Sequence, residues 1–299
     1  MLLLFFRRIR PGNLLIIALT QICIRYTLII PFLEINGYVT AVSHFWFSLL
    51  ALSTLLIAAG GYLINDADDA SIDSVNKSRV TGPELQSTLK FYGIMLLLAG
   101  VITGFCISFF GNLKTAWGIQ LFAAIVLYNY STQIKKIPLL ASLAVSLLTV
   151  LAILIVYTTD RAAMQVEEIK KLTLGYSLFA FLMSLSRETI KDIQDAMGDK
   201  EAGRKTLPLI AGIFIAKVFS ALLILTVVGL LVWIQVIQQQ WASKLAFFYV
   251  VFLIQLPLLI IAVKVFMDNS PLQYAWSSRL CRLVMLAGVF TMPLFYYIL

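Results

Sequence analysis

Apolar stretches of membrane-spanning length alternate with short polar breaks along nearly the whole chain. A helix that crosses hydrocarbon needs about 17–25 mainly apolar residues. Stretches of that kind lie at roughly residues 14–33, 43–64, 88–109, 113–130, 138–158, 172–188, 208–236, 244–266 and 280–299. The pattern predicts an all-α integral membrane protein with nine transmembrane helices, built as a single domain over 1–299. No break between the stretches is long and polar enough to form a separate soluble domain.

Composition agrees with this reading. Hydrophobic residues make up 61% of the 299 and charged residues 13%, against about 45–50% and 25% in an ordinary soluble domain. The opening residues MLLLFFRRIRPGN place apolar residues before the arginines, with no small-residue cleavage site after them. They are therefore not expected to be a secretory signal. Cys23, Cys106 and Cys281 lie far apart in apolar sequence and are read as small buried hydrophobes. The only histidine, His44, opens a span, which excludes a zinc or haem site built on histidines.

The net charge is +8, yet it is not gathered on one soluble face, so nucleic acid is not an expected partner. It follows the loops instead. The N-terminus and the even-numbered breaks hold sixteen basic residues, from Arg7, Arg8 and Arg10 to Arg279 and Arg282, and the odd-numbered breaks hold five. The positive-inside rule then predicts a multi-pass protein of the cell (inner) membrane, with a cytoplasmic N-terminus and an external C-terminus. Arg25 and Lys217 fall inside spans. Lys217 can snorkel, and Arg25 can pair with Glu34 or with a carbonyl at a helix end.

Acidic residues supply the candidate chemistry. The triplet D-x-x-D-x-x-x-D occurs twice, as Asp66, Asp69, Asp73 and as Asp192, Asp195, Asp199. Offsets of three and seven place each triplet on one face of a helix. Like charges on one face repel unless a cation offsets them. Both triplets follow an even-numbered span, so both are expected at the cytoplasmic face. Their similar placement, 126 positions apart, hints at an internal duplication with two helical halves facing a central cavity. Carboxylate oxygens select hard cations. Magnesium takes one or two carboxylates and leaves its other positions to water and phosphate oxygens. Two such faces could each hold Mg2+, with a diphosphate between them. A divalent-cation transporter is the competing class. It would need carboxylates deep in the spans, whereas these lie at helix ends.

The segment Asn65–Asp73, NDADDASID, resembles the N-D-x-x-D-x-x-x-D signature of the UbiA-type intramembrane prenyltransferases. Arg187–Pro208, RETIKDIQDAMGDKEAGRKTLP, is similar to that family's second aspartate-rich motif. Arg10-Pro11-Gly12-Asn13 resembles the entry to its first helix, and Tyr130–Lys136, YSTQIKK, the stretch after its fourth. The resemblance implies nine helices around a central cavity capped on the cytoplasmic side. It implies Mg2+ as cofactor, a polyprenyl diphosphate donor, a lipophilic acceptor and a site within the lipid bilayer. Asp66, Asp69 and Asp73 would serve one metal ion and Asp192, Asp195 and Asp199 another. Asn65, Arg79, Lys135, Arg187 and Lys191 would meet the diphosphate, and Tyr130 would face the reacting end of the prenyl chain. Catalysis would then rest on Asp66, Asp69, Asp192, Asp195 and Lys135.

Two departures stand out. The family often reads N-x-P-x-R-P after its first motif, where this chain has Asn76-Lys77-Ser78-Arg79-Val80. It often has Gly-Asn early in the fifth helix, where this chain has Ala141-Ser142. In the second motif, Arg187-Glu188 and the ending Thr206-Leu207-Pro208 are most similar to the branch that makes digeranylgeranylglyceryl phosphate. An aromatic acceptor of the quinone type is the alternative.

Overall fold

The computed structural model describes residue 6 and residues 8–69, 83–130, 133–137, 139–201, 203–237 and 244–296. Most of these residues are helical, with no strand among them. The long helices are α1 (Pro11–Ile35), α2 (His44–Asp68), α3 (Pro83–Phe110), α4 (Lys114–Tyr130), α5 (Leu140–Thr159), α6 (Glu167–Gln194), α7 (Ile213–Ile237), α8 (Lys244–Met267) and α9 (Pro271–Tyr296). Among the described residues, seven helices are long and apolar enough to cross a membrane: α1, α2, α3, α5, α7, α8 and α9. The other two expected spans fall on α4, which has only 17 residues, and on α6, whose 28 residues carry charges at both ends. Large apolar side chains such as Phe109, Phe214 and Leu272 are more than two-thirds exposed. Such a surface suits hydrocarbon and would be an aggregation hazard in water. The protein is a multi-pass membrane protein.

The chain forms two units, residues 1–136 with 151–174 and residues 137–150 with 175–299. In the first unit, Ser43 caps α2 by accepting a hydrogen bond from the Trp46 backbone N–H. Helices α2 and α3 approach closely through small residues. A Cβ added to Gly60 would lie 2.6 Å from the Gly93 carbonyl oxygen, and one added to Gly93 would lie 3.0 Å from that of Gly60. Ser53 Oγ donates across the same pair of helices to the Gly100 carbonyl, at 2.7 Å. Small residues and interhelical hydrogen bonds hold helices together where lipid removes the hydrophobic drive. Helix α1 contains a π-helical stretch, Ile24–Ile29. Its Arg25 is buried, donates to the Val42 carbonyl and lies 4.8 Å from the centre of the Phe47 ring. The hydrogen-bond partner is thus a loop carbonyl and not Glu34.

In the second unit, a buried apolar core joins α6 to α7, α8 and α9 through Met183, Ile190, Ile224, Leu258, Ile261 and Val284. Lys217 is buried and donates to the carbonyls of Phe266 and Asp268, at 3.3 and 2.8 Å. It caps the end of α8, where unpaired carbonyls concentrate negative charge. Tyr176 on α6 and Thr291 on α9 share a 2.8 Å hydroxyl hydrogen bond. Cys23 and Cys281 are buried free thiols, and Cys106 is partly buried. His44 Nδ1 meets the Tyr26 hydroxyl at 2.8 Å.

Candidate functional site

Helix α2 ends within the first motif, and no basic residue lies in its last turn. Asp66, Asp68 and Asp69 therefore crowd the negative pole of the helix, where carboxylates are disfavoured. Cations from other segments offset them. Arg10 Nη2 lies 2.8 Å from Asp66 Oδ1, and Arg8 Nη1 lies 3.6 Å from Asp66 Oδ2. Arg10 reaches this position from a left-handed backbone conformation (φ 54°) at the start of α1, with its guanidinium 5.0 Å over the Tyr62 ring. Lys90 on α3 lies 2.9 Å from Asp68 Oδ1.

Lys135 follows α4 in a short 3-10 turn, Ile134–Lys136. Its ammonium pairs with Asp69 Oδ2 and sits 5.0 Å from the centre of the Tyr130 ring. Asn65 Nδ2 donates to the same Asp69 oxygen at 3.0 Å. The structure thus brings Asn65, Asp69, Tyr130 and Lys135 together, one residue from Asp66 on α2. Asp66, Asp69, Arg8 and Lys135 all have side chains about nine-tenths buried. Asn65 Oδ1 and Asp68 Oδ2 are buried without a hydrogen-bond partner, which costs free energy unless a donor or cation reaches them. Asp73 and Arg79 lie outside the described residues.

In the second unit, α6 carries Arg187, Glu188, Lys191 and Asp192 past its apolar stretch. Glu188 is buried. Its Oε1 is 2.6 Å from Arg187 Nη1 and its Oε2 is 2.8 Å from Lys191 Nζ. Asp192 Oδ2 accepts a hydrogen bond from Ser142 Oγ at 3.0 Å. Ser142 is buried near the start of α5 and makes its polar contact there. Burial, reinforced by the Glu188 charge, pushes the Asp192 carboxyl up to about 7, while Ser142 and Lys191 pull it the other way. Beyond α6 the chain breaks at Asp195 and resumes as the short helix Ala196–Glu201. Asp199 on that helix is buried and 3.0 Å from Arg204 Nη1. Gly203, at φ 66°, makes the turn that returns Arg204 to it.

Sequence reasoning assigned no role to Arg8, Arg10, Lys90, Glu188 or Ser142 at these carboxylates. The Arg-x-Arg-Pro string before α1 was visible, but positive-inside anchoring explained it equally well. Among the described residues, no group of three or more Asp, Glu, His or Cys side chains is arranged to hold a metal ion. The donors still fit magnesium, which uses one or two carboxylates. Asp66, Asp69 and the unpaired Asn65 Oδ1 are hard oxygens on one turn of helix.

A model of the UbiA prenyltransferase family matches residues 29–278. The digeranylgeranylglyceryl phosphate synthase of Methanobrevibacter smithii is 31% identical over 59% of this chain and 62% of its own. The enzyme of that name from Ignicoccus hospitalis is 34% identical over 55% of this chain and 54% of its own. The chain thus spans less than two thirds of these curated relatives. Among solved structures, a UbiA homolog from Archaeoglobus fulgidus bound to DMAPP and Mg2+ superposes with a TM-score of 0.63 at 19% identity. The match covers 97% of this chain and 98% of that one, and it shows a shared fold.

Proposed function

The chain belongs to the UbiA prenyltransferase family, and from that premise we propose that it transfers a prenyl group from a polyprenyl diphosphate to a lipophilic acceptor, with Mg2+ as cofactor. The observation that carries this reading is the pairing of buried Asp66 and Asp69 with Arg8, Arg10 and Lys135. Such a set binds a metal cation and an anion together better than either alone. Asn65, Asp66, Asp69 and Asp73 serve magnesium at the first motif, and Asp192, Asp195 and Asp199 at the second. Bound magnesium supplies charge that stabilises the leaving diphosphate.

The chain's own groups do the rest. Arg8, Arg10 and Lys135, with Arg79, Arg187 and Lys191, meet diphosphate oxygens whose negative charge grows as the allylic C–O bond breaks. Tyr130 presents a π face near Lys135 to the carbon that becomes electron-poor. Apolar walls hold the prenyl chain and exclude water, which would otherwise capture that carbon. An acceptor oxygen forms the new bond to the allylic carbon, its proton passes to a carboxylate of the site or to the departing diphosphate, and inorganic diphosphate leaves.

We extend the proposal to the acceptor. The second motif and the two curated relatives favour geranylgeranyl transfer to geranylgeranylglyceryl phosphate, forming an ether lipid. Nine spans, a cavity capped on the cytoplasmic side and a cytoplasmic N-terminus complete the proposed arrangement. Purified protein with Mg2+ and radiolabelled geranylgeranyl diphosphate tests it. Product with geranylgeranylglyceryl phosphate supports the reading. Product only with homogentisate, 4-hydroxybenzoate or a dihydroxynaphthoate moves the acceptor to the quinone type, and no product with any acceptor overturns the activity. Single cysteines at Lys200 and Arg161, without the native three, should label from opposite sides of the membrane.

A further inference from the structure

Glu188 differs from the other acids of the second motif in what it touches. Its carboxylate accepts from Arg187 Nη1 at 2.6 Å through one oxygen and from Lys191 Nζ at 2.8 Å through the other. The two partners stand one residue before it and three after it on α6. On a helix Arg187 and Lys191, four residues apart, share one face, and Lys191 neighbours Glu188 at an i,i+3 spacing, whereas Arg187, next to Glu188 in sequence, is turned about 100° from it. The contact with Glu188 therefore bends Arg187 around the helix, toward the side on which Lys191 already lies. The two oxygens of a carboxylate are close together, so the guanidinium and the ammonium are held side by side. Glu188 is itself only 6% exposed and Arg187's side chain only 14%. Neither can swing freely into solvent. Arg187 Nε is buried without a hydrogen-bond partner, so part of the guanidinium is left for another acceptor.

We propose that Glu188 is a positioning residue that holds Arg187 and Lys191 as a preset pair of cations for two oxygens of one diphosphate. The inference rests on the transferase reading above. Two long cationic side chains otherwise lose rotamer freedom when they bind an anion. Fixing them beforehand removes that cost from binding, which is the general advantage of preorganisation. A purely structural Glu188, present only to neutralise two charges near the membrane, would affect folding and leave diphosphate affinity alone.

The test compares parent, Glu188→Gln, Glu188→Asp, Arg187→Ala and the Glu188→Gln/Arg187→Ala double variant, all as full chains in detergent. Binding of magnesium pyrophosphate is read by calorimetry, and KM and kcat for geranylgeranyl diphosphate by turnover. Glu188→Gln should weaken pyrophosphate binding about tenfold and raise KM in parallel, with kcat changed less. Glu188→Asp should recover most of the affinity, and it serves as the folded reference if Glu188→Gln is unstable. The double variant should be little worse than Arg187→Ala alone, because the two residues act as a unit. Parent-like pyrophosphate affinity in Glu188→Gln, or fully additive losses in the double variant, overturns the proposal. A parent protein that neither binds magnesium pyrophosphate nor turns over sinks the transferase reading, and this inference with it.

Discussion

The two aspartate motifs neutralise their charge in different ways. At the first, the counter-ions come from distant segments: Arg8 and Arg10 before α1, Lys90 on α3 and Lys135 after α4. At the second, these ion pairs among the described residues are local. Arg187 and Lys191 flank Glu188 on one helix, and Arg204 returns to Asp199 across a five-residue turn. The first arrangement makes the site depend on helix packing. The second takes these ion pairs from one segment, with Ser142 on α5 adding a hydrogen bond to Asp192. Substitutions that disturb packing should therefore damage the first motif selectively.

The largest effects should come where the motifs act alike. Asp66→Asn and Asp192→Asn should each lower turnover by about a thousandfold or more, since in the proposed reaction each carboxylate serves magnesium next to developing charge. EDTA should abolish activity and added magnesium restore it. Turnover near the parent level in either variant, measured with radiolabelled prenyl diphosphate, would break the assignment of that motif.

Lys135→Ala separates the motifs. It should reduce kcat by about a hundredfold through loss of a charged donor, while magnesium pyrophosphate binding at the second motif's cations persists. Parent-like kcat would remove Lys135 from the reaction. Gly60→Ala tests the dependence on packing. The new methyl would press on the Gly93 backbone, at a cost of about 1–3 kcal/mol. Thermal unfolding in detergent should show it, and activity should fall with it because Lys90 on α3 would shift from Asp68.

Arg10→Ala against Arg204→Ala sharpens the contrast further. Each loses one charge-assisted contact, worth about tenfold in turnover or less. Only Arg10→Ala should also loosen the segment before α1, read as faster proteolysis near the N-terminus. Equal proteolysis of the two variants would remove the distinction between distant and local counter-ions. Ser142→Ala should have the smallest effect, about threefold to tenfold in turnover, from one neutral hydrogen bond to Asp192. Ser142→Asn, which keeps a side-chain donor for Asp192, should hold turnover near the parent level.

What the sequence determined by itself was what depends on neighbours along the chain. Apolar runs longer than a bilayer is thick leave few alternatives to helices, because backbone groups in lipid must bond within their own segment. Acidic residues repeated at offsets of three and seven marked both motifs, although the second triplet is not carried on one helix, because α6 ends at Gln194 and Asp199 stands on the next short helix. Lys135 and Tyr130 were legible only through their resemblance to a family pattern. The tertiary structure decided which cation meets which carboxylate. Arg8 and Arg10 looked like topology signals, yet a left-handed residue before Pro11 turns Arg10 back toward Asp66. Ser142 gained its role only when α5 came beside α6. Arg25, which the sequence left between Glu34 and a carbonyl, settled on the carbonyl of Val42 and the face of Phe47. Charges attract over several ångströms and in any direction, so one-dimensional spacing cannot choose their partners, whereas a packed pair of helices allows only one.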